Sequence, residues 1–167
     1  MTITIDDIKV LRERTGAGIM DCKEALQKAG GDLRAAEEIL RLQGFAFAQK
    51  QASRQTLQGL IEIYLHPGGR IGAMVEVNCE SDFVARTEVF KELAHNLAMQ
   101  VAAMSPAYVS AEEIPSDKQV NPQEACLLLQ PFIRDQGKQV QDLTKEAIAK
   151  LGENIRIRRF ARFEVGG

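Results

Sequence analysis

Aromatic residues are scarce in this chain. It has no tryptophan, two tyrosines and seven phenylalanines spread over 167 residues, too few to build a platform on which successive bases could stack. Histidine is rarer still: His66 and His95 are the only two. The three cysteines, Cys22, Cys79 and Cys126, are odd in number, widely spaced and free of any Cys-x-x-Cys pattern. That argues against a disulfide framework or a zinc site and for a reducing compartment. No apolar run approaches the roughly 20 residues of a membrane-crossing helix, and the N-terminus lacks the pattern of a signal peptide. The net charge of −2 gives no strongly basic surface for nucleic acid or an anionic membrane.

Catalytic patterns are also missing. There is no phosphate-cradling Gly-x-x-x-x-Gly-Lys loop, and Gly16-Ala17-Gly18 follows a helical pattern rather than a strand. His66 sits beside a Pro-Gly-Gly turn, and His95 lies opposite the apolar stripe of its helix, so both read as solvated. Asp6-Asp7 and Glu112-Glu113 read as acids at helix starts rather than metal ligands. No cofactor, metal or catalytic residue is expected, and a binding protein is favoured over an enzyme. A thiol enzyme built on Cys79 is disfavoured, because no histidine or positive charge neighbours it in sequence.

What the chain does contain begins with a helical unit over residues 1–43. Ile5, Ile8 and Leu11 recur at helical spacing, and Thr15-Gly16-Ala17-Gly18 closes that helix. A second stripe of Ile19, Cys22, Ala25, Leu26 and Ala29 ends at Gly30-Gly31. Asp32 is placed to cap a third helix facing inward through Leu33, Ala36, Ile39 and Leu40. A three-helix bundle of this size has little room for a catalytic cavity and suits docking. Residues 44–54, with three alanines and two glutamines, read as a partly helical linker.

Residues 55–167 read as an α+β core domain. Leu57, Gly59, Ile61, Ile63 and Leu65 alternate, Pro67-Gly68-Gly69 turns the chain, and Ala73, Val75 and Val77 alternate on the return. A helix from about Thr87 to Met104 carries Phe90, Leu93, Ala94, Leu97, Val101 and Met104 on one stripe, broad enough to cover a sheet. Leu127 to Ile133, apolar and broken by Pro131, reads as an extended edge segment. A helix over Gln139–Leu151 stops at Gly152. A final strand over Asn154–Val165 places Ile155, Ile157, Ala161, Phe163 and Val165 on one face. The expected sum is about three antiparallel strands covered by helices.

Between the second strand and the long helix lies Val77-Asn78-Cys79-Glu80-Ser81-Asp82-Phe83-Val84-Ala85-Arg86. From the residues alone, Phe83 is expected to pack inward beneath the helix that follows, and Asp82 to be a solvated or capping acid. Projected at about 100° per residue, Met20 falls opposite the stripe of its helix and should be exposed. Ile19 falls on the stripe and should be core.

This stretch, together with Ile8–Leu26 and Ile148–Phe160, resembles the elongation factor Ts family, the nucleotide-exchange factors of elongation factor Tu. The resemblance covers nearly the whole chain. It implies an N-terminal unit of the ubiquitin-associated type that docks on the GTPase domain of elongation factor Tu, with Arg12, Ile19 and Met20 at contact positions. It also implies that Ser81-Asp82-Phe83-Val84 forms a tip whose Asp82 and Phe83 wedge into the GTPase. There they disturb its magnesium and phosphate site, so that GDP leaves and GTP can rebind. By this resemblance the chain is a translation factor of the bacterial cytoplasm, or of a plastid stroma or mitochondrial matrix.

Three departures from the family pattern stand out. Ser81 replaces the usual threonine, Gln100 stands where relatives often carry histidine, and the connection between the Ile114-Pro115 region and Leu127 is short. Longer relatives carry two related core units where this chain has one, which implies a homodimer with the C-terminal strand and Leu127–Ile133 as candidate interface. The competing class is a protein-binding adaptor without exchange activity. Acceleration of nucleotide release from elongation factor Tu separates the two.

Overall fold

The structure is a computed structural model and describes residues 3–167; Met1 and Thr2, the start of the expected first unit, lie outside the described residues. Three helices lead the chain: α1 (Ile5–Thr15), α2 (Ile19–Lys28) and α3 (Leu33–Gln51). Thr4 and Asp7 form a reciprocal capping box at the start of α1, and Gly16 ends it in the left-handed conformation with φ 68°. Asp32 caps α3 by accepting the backbone N–H of Ala35. Leu11, Cys22, Ala25, Leu26, Ala36 and Leu40 form the core of this unit. Ile5, expected on the inner stripe of α1, is instead 73% exposed.

Residues 44–51, expected to be only partly helical, are the unbroken second half of α3. That half packs on α7 (Val140–Leu151). Gly44 allows a close approach of the two helices: a Cβ placed there would come within 2.9 Å of the Ala149 Cβ.

The second core is a sheet in the order β1 (Gln58–Leu65), β2 (Ile71–Cys79), β5 (Ile155–Glu164), antiparallel throughout. Helix α5 (Glu88–Met104) crosses β1 and β2 and buries Phe90, Leu93, Ala94, Leu97 and Val101, while Ala73, Val75, Val77 and Cys79 face it from β2. Ser105, at φ 47°, ends α5 one residue before Pro106. Between α5 and α7 the chain makes a short helix α6 (Pro122–Ala125) and a two-stranded ribbon, β3 (Pro131–Phe132) with β4 (Asp135–Gln139). The α+β architecture is the one expected.

Two faces of the sheet depart from expectation. On β1 the alternation is present, but the apolar set lies outside: Ile61, Ile63 and Leu65 are exposed, and Leu60 and Tyr64 pack on the core. On β5 a bulge opposite Glu76 and Val77 inserts Arg158. One extra residue reverses the faces beyond it. Ile155 and Ile157 are therefore buried, whereas Ala161 and Phe163 point outward and Phe160 takes the inner place.

Candidate functional site

The β2–α5 joint folds as a single helical turn, α4 (Asp82–Ala85), capped by Ser81, whose Oγ accepts the Val84 N–H at 3.4 Å. Four residues cannot form a stable helix by themselves, because one turn fixes several dihedrals for a single hydrogen bond. The turn is held by its surroundings. Ala85 is buried and Val84 packs against the core beneath the sheet. With those two facing inward, Phe83 is left outside, 78% exposed. The inward-packing expectation for Phe83 is thereby overturned, and the inner place goes to Val84, which the family resemblance includes in the partner-binding tip. Asp82 is half-buried and pairs with Arg86 one turn later at 2.8 Å.

Beneath the turn lies a polar anchor that sequence reasoning missed. Glu153, in the turn between α7 and β5, accepts the backbone N–H of Glu80 at 3.1 Å and that of Ser81 at 3.0 Å through Oε2. Its Oε1 accepts the Ser81 hydroxyl at 2.6 Å. The arrangement is reciprocal, for Glu80 Oε1 accepts the backbone N–H of Asn154 at 2.7 Å. Asn154, buried, donates from Nδ2 to the carbonyl of Arg54 at 2.8 Å, and Arg54 lies 3.6 Å from the Glu80 carboxylate. The chain just after α3, the start of the tip and the α7–β5 turn therefore meet at one point. The only signal in the sequence was two polar residues between a helix-ending Gly152 and a buried Ile155.

Cys79 belongs to the same anchor. It is buried and donates from Sγ to the Ser81 carbonyl at 3.0 Å. Burial, reinforced by the nearby Glu153 charge, pushes its thiol up from 9.0 to about 11. A thiol held neutral at physiological pH is a poor nucleophile, so Cys79 serves the turn as a packing group and hydrogen-bond donor.

On the three-helix unit, Arg12, Ile19 and Met20 are all exposed, Met20 at 71% and Ile19 at 58%. Met20 lies as its helical projection predicts. Ile19 does not: it is the first residue of α2, beyond the reach of the small core, which Ala17 closes at that end. Gln100 is completely buried, so its side chain cannot contact a partner where it stands.

Other regions offer little chemistry. An open cleft of about 780 Å³ runs between α3 and helices α5 and α7, lined by charges of both signs, including Arg14, Arg41, Glu92 and Lys150; no tip residue lines it. Among the described residues no three His, Cys, Asp or Glu side chains are grouped to hold a metal ion, and no helix is long and apolar enough to cross a membrane.

The family model described as elongation factor TS matches residues 37–124. Over 194 aligned residues the chain is 50% identical to an elongation factor Ts of Moorella thermoacetica, covering 98% of this chain and 96% of that protein. It is likewise 50% identical to the Thermotoga petrophila elongation factor Ts, covering 99% and 98%. The Herpetosiphon aurantiacus protein of the same name is 47% identical over 99% of each chain. The aligned length exceeds the 167 residues present, so these relatives carry residues that this chain lacks. With the family model matched over more than half the chain, and 50% identity to a relative covered over 96% of its length, the chain belongs to the elongation factor Ts family.

Proposed function

We propose that this translation elongation factor binds elongation factor Tu in its GDP form and speeds GDP release, with Phe83 and Asp82 as the intruding pair. The observation that carries the reading is the 78% exposure of Phe83 on a one-turn helix anchored from below. A large aromatic held in water by a fixed turn contributes nothing to its own core and is preorganised to enter a partner. No bond chemistry is required. A factor that binds the nucleotide-free GTPase more tightly than the GDP form must weaken GDP binding by the same ratio. A wedge that displaces the magnesium and phosphate elements accomplishes this, and abundant GTP then displaces the factor.

In this reading the three-helix unit, residues 1–43, is the docking module, and Arg12, Met20 and Ile19 are its contact residues. Exposed Ile19 and Met20 side by side at a helix start give it an adaptable apolar surface. Stopped-flow release of a fluorescent GDP analogue tests the whole assignment. Phe83→Ala is expected to slow release far more than it weakens docking, and an unchanged rate would sink the wedge.

We infer further that two copies pair through the outer face of the sheet. Ile61, Ile63 and Leu65 on β1, Met74 on β2 and Phe163 on β5 form an exposed apolar patch on that face, bordered by the Glu76–Arg159 ion pair and uncovered in a single copy. Leu127–Ile133 is withdrawn from the interface expected on sequence grounds. Leu127 and Phe132 are buried, and Gln130 is fixed inside. Light scattering at micromolar concentration decides the matter, a purely monomeric mass being the adverse result.

A further inference from the structure

The tip is too short to hold its own position and takes it from its surroundings. Its helix is one turn long, and Phe83 itself is 78% exposed. The inward packing of Val84 and Ala85 holds the turn against the core, and a second constraint acts on the backbone entering it. There the two successive amides of Glu80 and Ser81, and the Ser81 hydroxyl, all converge on the carboxylate of Glu153. Three hydrogen bonds to one ionised carboxylate are stronger than neutral ones and fix direction as well as distance.

We propose that Glu153 is a positioning residue for nucleotide exchange: it sets the direction in which α4 presents Phe83. The proposal rests on the exchange reading above and adds to it a residue far from the tip in sequence. Through the Glu80–Asn154 and Asn154–Arg54 bonds, the same anchor ties the tip to the chain just after α3. One junction thus relates the wedge to the helix that carries the docking unit. In catalysis a misplacement of about 1 Å can cost up to ~100-fold in rate, and a wedge that must enter a closely packed partner depends on placement in a similar way. A loosened tip should therefore dock nearly as well and act more slowly.

The test is a double-mutant cycle on the rate of fluorescent GDP release from elongation factor Tu, measured at the plateau reached with saturating factor. Glu153→Ala is expected to lower that plateau about tenfold, with a much smaller change in the concentration at half-plateau. Added to Phe83→Ala, it should change the rate less than about twofold, because there is no longer a wedge to aim. Glu153→Gln keeps a carbonyl oxygen for the two amides and should recover most of the loss. If the alanine variant does not fold, Glu153→Asp withdraws the acceptor by one methylene, keeps the charge and enters the same cycle. A wild-type plateau for Glu153→Ala, or an undiminished effect on top of Phe83→Ala, overturns the proposal and leaves the wedge intact. A wild-type plateau for Phe83→Ala overturns the wedge itself.

Discussion

Gln100 and Gln130 meet inside the core, both buried, with Nε2 of Gln100 donating to Oε1 of Gln130 at 3.2 Å. Gln100 also donates to the Pro131 carbonyl at 3.1 Å and accepts the Ile133 N–H at 3.0 Å, while Gln130 donates to the Glu124 carbonyl at 2.7 Å. The two amides thus bind α5 to α6 and to the β3–β4 ribbon. Buried polar groups linked in this way stabilise only while every member is satisfied.

Gln100→Leu tests that dependence. Leucine fills much of the space but takes the Gln100 partner away from the Ile133 N–H, the Gln130 oxygen and the Pro131 carbonyl, at about 1–3 kcal/mol for each group left unsatisfied. A net loss of about 2–4 kcal/mol is expected in urea unfolding. Stability within ~0.5 kcal/mol of the wild type would show that solvent or a rearrangement satisfies these groups.

Phe83 and Phe90 lie seven positions apart and make opposite predictions for stability. Phe90 is completely buried under the sheet and Phe83 is 78% exposed. Truncating the first to alanine is expected to cost about 3–5 kcal/mol. Truncating the second should change unfolding by less than about 0.5 kcal/mol. Chemical denaturation of both variants beside the exchange measurement separates a wedge from a structural aromatic. A large stability loss for Phe83→Ala would argue that the residue packs somewhere after all.

These contrasts mark what periodicity can and cannot reveal. The inner faces of α5 and β2 were legible because one face is apolar and the other is not, save that Met104, expected on the α5 stripe, is exposed at the helix end; Gly16, Gly30-Gly31 and Gly152 marked helix ends correctly. β1 was legible as a strand, but not in orientation, since alternation fixes the period and leaves the buried side open. The reversal in β5 depends on one bulged residue, Arg158, that no local pattern announces. For Phe83 the residue type pointed inward, and the outcome turned on Val84 and Ala85 occupying the core instead. The Glu153 anchor joins residues more than seventy positions apart, beyond the reach of any local pattern.

The outer sheet face gives a prediction about assembly. Ile63 and Met74 are registered neighbours on adjacent strands, both exposed. Placing lysine at both positions puts two ammonium groups at the proposed interface, where a buried unpaired charge costs several kcal/mol. The double variant Ile63→Lys, Met74→Lys is expected to have half the wild-type mass in light scattering while keeping its far-ultraviolet circular dichroism. A wild-type protein of double mass whose state is indifferent to both lysines would place the interface elsewhere.

The cysteines predict the response to alkaline pH. Burial raises the thiol of Cys79 from 9.0 to about 11 and raises those of Cys22 and Cys126 as well. Between those two values the unfolded chain has released the Cys79 proton while the folded chain still holds it. The unfolded state then binds fewer protons, and stability must fall as pH rises. The contribution is fully present below about pH 9 and is lost as pH passes about 11. Urea midpoints should accordingly decline across that window. Cys79→Ala should start from a lower midpoint, because it opens a small cavity beneath the tip, and decline less steeply, because one of the three titrating thiols is gone. At pH 8, native Cys79 should also resist alkylation until the chain unfolds. Rapid labelling of Cys79 in the folded protein, or a decline as steep without the thiol as with it, would mean that the tip opens far more readily than its anchor allows.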